Sequence, residues 1–250
     1  MKRTALFFGS FNPIHVGHLV IANTIVQQDD VDELWLVVSP QNPLKERSTL
    51  LADHHRLEMV RRAIDDNYSL RVCDIEMHLP IPSYTVVTLA ALGEKYPDRE
   101  FCLVMGSDNL LTFNRWRNYE YILSHYRIYV YPRPGYMTPA AQTPPSPPQG
   151  GTVVRCGSPQ GGTVVRCGSP QGGTVVRDGD LSSVPPRGGQ GGVSLWNHPS
   201  VTMVDVPMMD ISSSYIRQSI AEGRDVRYLL TDPVYKYLTE MHFYETKNEK

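Results

Sequence analysis

Thr4 to Phe8 is a short apolar, aromatic run that the turn-forming residues Gly9, Ser10, Asn12 and Pro13 stop abruptly. A longer apolar pattern follows through Ile14, Val16, Leu19, Ile21, Ala22, Ile25 and Val26, enough to pack a helix on a sheet. After an acidic turn from Asp29 to Glu33, Leu34 to Val38 reads as a second buried strand. Strand, helix, strand is the parallel βαβ unit, and a chain that opens with it is committed to a sheet whose crossovers are helices.

The alternation continues. Leu50 to Asp66 has a helical period through Leu51, Leu57, Val60, Ala63 and Ile64, with Arg56, Arg61 and Arg62 largely off that face. Strands are expected over Leu70 to Ile75, Glu100 to Met105, Arg127 to Tyr131 and Val201 to Val206. Helices are expected from VVTLAALGEKY, over Leu110 to Phe113, after Ser212-Ser213-Ser214, and in a terminal segment carrying Leu229, Val234, Tyr237, Leu238 and Met241. The pattern predicts an α/β fold with a doubly wound parallel sheet, Rossmann-like in type.

One stretch breaks it. PQGGTVVRCGS occurs at 148 to 158 and again at 159 to 169, and PQGGTVVRDGD follows at 170 to 180, a period of eleven. From Thr138 to Gly192 the chain is mostly Gly, Pro, Ser, Thr and Gln, too poor in bulky apolar residues to offset its ordering entropy. An eleven-residue repeat also suits a stacked β solenoid, though that needs more copies and a continuous core. The expectation is one domain made of 1–135 and 196–250, interrupted by a disordered low-complexity insertion at 136–195. Cys156 and Cys167 occupy equivalent repeat positions, so copying accounts for their matched surroundings. Cys73 and Cys102 fall in predicted strands, where a buried thiol is usual.

The chemistry concentrates at the turns. Gly9 to Pro13 leads into a helix N-terminus, where unpaired backbone N–H groups and the positive end of the helix dipole favour an anion. His15 and His18 stand beside it, three residues apart and so neighbours on the first turn. Helix-start histidines of no special role fit that spacing, and so does an anion site; a zinc site fits poorly because no third ligand is evident nearby. Lys45, in the loop SPQNPLKERST, is either a solvated lysine or a phosphate contact. Ser83 or Thr85 could cap the next helix, or open a helix start that donates to an acidic ligand group. Gly106 permits close approach of a ligand, while Asp108 suits an N-cap, ribose hydroxyls or a magnesium-bound water. Trp116 is either a packing residue or a stacking surface for a flat ring. Ser212, Ser213, Ser214 and Arg217 build a second anion-ready helix start by the same physics. A formal net charge of −2 argues against a general nucleic-acid binder. No run approaches eighteen apolar residues and Met1-Lys2-Arg3 leads straight into a strand, so a cytoplasmic protein without a membrane partner is expected.

These motifs carry a resemblance. Gly9, Phe11, Pro13, His15, Gly17 and His18 match the GxFxPxHxGH signature of the nucleotidyltransferase superfamily, which transfers a nucleoside monophosphate and releases pyrophosphate. GSFNPIHVGH at 9–18, SYTVVTL at 83–89, GSDNLLTFNRW at 106–116, RPG at 133–135 and ISSSYIR at 211–217 stand in the order found in bacterial nicotinate-nucleotide adenylyltransferases. The resemblance implies that Gly9, Ser10, Phe11, His15 and His18 cradle the ATP phosphates, with Gly106, Asp108, Ser212, Ser213 and Arg217 completing the nucleotide site. It implies that Lys45, Thr85, Trp116 and Arg133 receive nicotinate mononucleotide, and that His15 and His18 are the catalytic pair. It further implies Mg²⁺ accompanying ATP, with no dedicated metal site in the protein and a homo-oligomer as one possible assembly. Two positions depart from the family: Leu44 stands where histidine is frequent, and Ser214 where threonine is. Other readings of the same motifs are transfer to nicotinamide mononucleotide or phosphopantetheine, a class I aminoacyl-tRNA synthetase, and a nucleotide-binding protein without catalysis.

Overall fold

The computed structural model describes residues 1–40, 50–136 and 195–246. In chain order these form β1 (Lys2–Gly9), α1 (Val16–Val26), β2 (Glu33–Val38), α2 (Asp53–Ala63), β3 (Leu70–Cys73), α3 (Thr85–Lys95), β4 (Arg99–Gly106), α4 (Ser107–Leu111), α5 (Tyr119–His125), β5 (Arg127–Tyr131), β6 (Val201–Met203), α6 (Ser213–Ala221) and α7 (Asp232–Glu240). The strands lie in the order β3-β2-β1-β4-β5-β6, and every pairing is parallel. That is the doubly wound arrangement expected of the alternating sequence. Its direction reverses between β1 and β4, where open α/β sheets leave a crevice outside the carboxyl ends of the strands.

Both faces of the sheet are covered, so its central strands β1, β2 and β4 carry continuous apolar runs beyond their charged first residues rather than alternating. All six residues of β2 are buried. Ala5, Phe7, Leu34, Leu36, Cys102, Val104 and Tyr129 face one cluster, shared with Ile25, Val60, Ile216, Val234 and Leu238 from the helices. Leu6, Trp35, Val37, Leu103, Met105, Ile128 and Val130 face the other, with Leu89, Leu92, Phe113 and Ile122. The strict alternation between clusters is the period of two of an extended chain.

Several boundaries differ from the sequence pattern. The second helix begins at Asp53 rather than Leu50, and the last runs from Asp232, with Leu229 in a separate short turn of 3-10 helix (Arg227–Leu229). The final strand spans only Val201–Met203; Val204 is buried and its N–H still donates to the Val130 carbonyl at 2.9 Å, and Val206 is buried beyond that bond. Glu33, expected in a turn, opens β2 and is 1% exposed. It accepts from Lys2 Nζ at 2.8 Å and Trp35 Nε1 at 2.9 Å, and it pairs with Arg99. Burial alone would raise its pKa, but the Lys2 hydrogen bond and the Arg99 charge outweigh burial and hold the carboxyl below its ordinary value. Cys73 and Cys102 are buried thiols as expected, pushed by burial to about 11 and about 12. Tyr136 and Leu195, which the composition assigned to the insertion, both contact the folded part: the Tyr136 carbonyl accepts from Ser107 Oγ at 2.9 Å, and Leu195 packs against the second cluster. Among the described residues no helix is long and apolar enough to cross a membrane.

Candidate active site

The turn between β1 and α1 is defined by where its carbonyls go. Gly9 O accepts from Ser39 N at 3.0 Å, Ser10 O from Arg56 Nη1 at 2.7 Å, Asn12 O from Arg217 Nη1 at 2.8 Å, and Pro13 O from Ser213 Oγ at 2.9 Å. Four carbonyls within five residues are thus occupied by donors from elsewhere in the fold. A backbone whose acceptors are already satisfied is left to present its donors, which is what an anion requires. Gly9 is required because a Cβ there would sit 2.7 Å from the Phe11 ring. Phe11 has φ of +44°, is 1% exposed, and meets Phe7 and His18 edge-on at 5.8 and 5.1 Å between ring centroids. Its side chain belongs to the core, so it can serve a ligand only through its backbone.

His15 is the N-cap of α1 and His18 its third residue, and their rings lie 3.8 Å apart, centroid to centroid. His18 Nδ1 accepts from the His15 backbone N–H at 3.3 Å, which fixes the direction of the His18 ring. Burial, and then the charge of Arg133, lowers the His15 imidazole from 6.5 to about 4. His15 is therefore neutral at pH 7, which limits it to hydrogen bonding as an uncharged ring.

The second helix start closes on the first. Ser212 caps α6 by accepting from Tyr215 N at 3.1 Å, while the Ser213 and Arg217 bonds just described cross 200 and 205 residues of sequence to reach the first turn. Arg217 Nη2 also donates to Ser214 Oγ at 3.2 Å. From the far side of the crevice come Gly106, at the end of β4, and Asp108, whose Oδ2 accepts from Arg133 Nη1 at 2.8 Å. A Cβ on Gly106 would collide with the Asp108 carboxylate and the Arg133 side chain. Asp108 Oδ1 is buried without a hydrogen-bond partner.

Further out, Thr85 is the first residue of α3; its cap position is held by Tyr84, and Ser83 Oγ donates to Glu76 at 3.2 Å. Neither Ser83 nor Thr85 is the cap that the sequence suggested. Trp116 is half-buried against Phe113, 5.3 Å between centroids, and the Arg117 guanidinium lies 4.9 Å above the Tyr84 ring. That contact brings the Thr85 and Trp116 segments together. Lys45 lies outside the described residues.

A family model for cytidylyltransferase-like proteins matches residues 6–219. A relative from Flavobacterium johnsoniae, which carries the name "Probable nicotinate-nucleotide adenylyltransferase", is 40% identical over 243 residues, covering 97% of this chain and 99% of its own. The chain belongs to the nicotinate-nucleotide adenylyltransferase family. A relative of the same name from Bacteroides fragilis is 36% identical over 95% of this chain and 92% of its own. Among solved structures, the Plasmodium falciparum nicotinic acid mononucleotide adenylyltransferase complexed with NaAD superposes with a TM-score of 0.67 at 17% identity, covering 98% of each chain. That likeness shows a shared fold. The nicotinate-nucleotide adenylyltransferase motifs thus fall at the carboxyl edge of the sheet, on β1, β4, β5 and the α3 and α6 starts.

Sequence reasoning missed three supports of this adenylyltransferase site. Arg56, assigned to the solvent side of α2, is 0% exposed and donates to Leu51, Ser10 and Ser39 carbonyls at 3.0, 2.7 and 2.8 Å, with Asp53 Oδ1 at 2.5 Å as counter-charge. Ser107 is buried, accepting from Arg133 N at 3.0 Å and donating to the Tyr136 carbonyl. Tyr244, near the carboxyl end, reaches Asn12. A buried arginine leaves a faint sequence signal, a cation one residue before the apolar stripe of its helix; the other two leave none.

Proposed function

We propose that this chain joins ATP and nicotinate mononucleotide, transferring the adenylyl group to the nucleotide phosphate and releasing pyrophosphate, as a step of NAD biosynthesis. The observation that carries the reading is the pair of bonds from Ser213 and Arg217 to the Pro13 and Asn12 carbonyls, which joins two anion-ready helix starts into one cleft beside the β1–β4 reversal. In this reading Gly9, Ser10 and Phe11 offer backbone donors to the ATP phosphates. Ser212, Ser213 and Arg217 close on the same phosphates, and Gly106 and Asp108 receive the nucleoside. Thr85, Trp116, Arg133 and Lys45 hold the acceptor.

The reaction is an in-line displacement. The acceptor phosphate oxygen attacks the α-phosphorus, a P–O bond forms, and the bond to the pyrophosphate oxygen breaks with its electron pair leaving on pyrophosphate. Positioning and electrostatics supply the acceleration, with no covalent enzyme intermediate. His18, oriented by the His15 backbone, donates to oxygens that gain charge. His15 does so as a neutral ring, a narrower role than a positively charged histidine pair would play. Arg133 pairs with Asp108 and its charge is felt at His15, so its guanidinium can exchange a carboxylate for a phosphate when substrate arrives.

Magnesium fits this donor set. Among the described residues no three acidic, histidine or cysteine side chains cluster, and the unpartnered Oδ1 of Asp108 is one hard oxygen ligand of the kind a phosphate-borne Mg²⁺ accepts, directly or through water. When bound with ATP, the ion neutralises phosphate charge. The insertion at 136–195 is proposed as a passenger between β5 and β6, and the biosynthetic step as cytoplasmic, acting on small molecules rather than nucleic acid.

The test is a pyrophosphate-release assay with ATP and three acceptors in parallel: nicotinate mononucleotide, nicotinamide mononucleotide and phosphopantetheine. The reading expects kcat/KM for the nicotinate nucleotide to exceed the others at least tenfold. Preference for either of the others, or no release with any, would refute it.

A further inference from the structure

The first turn is held from behind by the far end of the chain. After α7 the backbone enters the left-handed region twice, with φ of +52° at His242 and +65° at Tyr244. Neither is glycine, so these conformations carry strain that surrounding contacts must offset. The contacts are present. The Phe243 ring packs against His55 and Tyr237, at 4.7 and 5.8 Å between centroids, and its N–H donates to the Leu238 carbonyl at 3.1 Å. Thr246 Oγ1 donates to the carbonyl of Ala221, the last residue of α6, at 3.1 Å. Between these two anchors Tyr244 is swung inward, and its hydroxyl donates to Asn12 Oδ1 at 2.6 Å.

Asn12 is the residue through which that bond reaches the site. It is 3% exposed; its Oδ1 also accepts from Leu51 N at 3.2 Å, and its backbone carbonyl accepts from Arg217. Two donors converging on one side-chain oxygen fix the amide's orientation, since the NH₂ end could accept neither. With the side chain fixed, the Asn12 peptide keeps its carbonyl toward Arg217, and the turn from Gly9 to His15 keeps its donors toward the cleft.

We propose that Tyr244 is a positioning residue for ATP, acting through Asn12, so that the segment after α7 belongs to the support of the nucleotide site. The inference rests on the reading of that turn as the triphosphate cradle. Tyr244 touches no reacting atom, and its effect is on how well the turn is preformed.

The test is Tyr244→Phe, which keeps the ring and removes only the donor. Binding of a non-hydrolysable ATP analogue is measured by calorimetry, steady-state KM is measured for both substrates, and the melting temperature is recorded. The expected result is a three- to tenfold weaker analogue Kd and ATP KM, the size of one lost hydrogen bond, with nicotinate mononucleotide KM and kcat within twofold. Asn12→Ser should weaken ATP at least as much, and the double variant should be no worse than Asn12→Ser alone, because both changes break one relay. Unchanged analogue affinity in Tyr244→Phe overturns the proposal, as do equal losses for both substrates or additive effects in the double variant. If the wild-type protein binds the analogue but fails to use nicotinate mononucleotide, the proposed acceptor falls while the Tyr244 comparison still decides. If it does not bind the analogue, both fall.

Discussion

Replacing Arg56 with methionine tests whether the ligand turns are held in place by a buried cation. The guanidinium has no exposed surface and serves the carbonyls of Leu51, Ser10 and Ser39 within 3.0 Å, together with Asp53. Methionine fills comparable volume with no donor, so those three carbonyls, and the Pro40 carbonyl at 3.4 Å, lose a charged partner and Asp53 loses its counter-ion. An unsatisfied buried carbonyl costs roughly 1–3 kcal/mol, but Asp53 is 43% exposed and water can enter from its side, which brings the net loss to about 4 kcal/mol. For a domain of this size that corresponds to a fall of roughly 8–16 °C in melting temperature. Scanning calorimetry in matched buffer measures it, and the ATP KM should rise in the same variant because Ser10 belongs to the turn proposed to hold the phosphates. Arg56→Lys keeps the charge but reaches fewer acceptors, so it should recover less than half of the lost stability. A methionine variant melting within 2 °C of wild type, or a lysine variant indistinguishable from it, would refute the reasoning.

Three further outcomes are expected. His18→Ala should lower kcat about a hundredfold or more, the scale of one lost donor at a transition-state oxygen; turnover within threefold of wild type removes His18 from that role. His15, at about 4 when folded against 6.5 when free, binds its proton less readily in the native state, so it lowers stability as pH falls from 6.5 toward 4 and has no effect above that window. Relative to His15→Gln, wild type should therefore lose about 2 kcal/mol between pH 7.5 and pH 5 in urea unfolding, and parallel pH profiles would contradict this. Replacing residues 137–194 with a short Gly/Ser linker, which leaves Tyr136 and Leu195 in place, should preserve kcat/KM within threefold, and a larger loss would give the insertion a catalytic part.

The strands β1, β2, β4 and β5 were legible because each carries an apolar run closed by turn residues; Arg127–Tyr131 falls on the expected boundaries. The two helix starts were legible because Gly, Ser, Asn and His in those orders have few other uses. What stayed hidden depends on where the backbone carbonyls point. Periodicity ranks Arg56 by its own polarity and places it outside; the structure buries it because two turns fold over α2 and leave acceptors that only a multidentate donor can serve. Glu33 looked like one more acid in a turn, and it is buried because Lys2 reaches it from the adjacent β1 and Arg99 from β4, one strand further along the sheet. Tyr244 was invisible because its partner is 232 residues away.

That separation governs when a working site first exists. Pro13 and Asn12 are made 200 and 205 residues before Ser213 and Arg217, and Asn12 is made 232 residues before Tyr244. Until α6 is made, the turn proposed to hold phosphate lacks the Ser213 and Arg217 donors to its Pro13 and Asn12 carbonyls, so nucleotide affinity is expected to appear only after α6. A chain that stops before α6 would carry all six strands of the sheet and still lack the Ser213 and Arg217 half of the proposed ATP cleft.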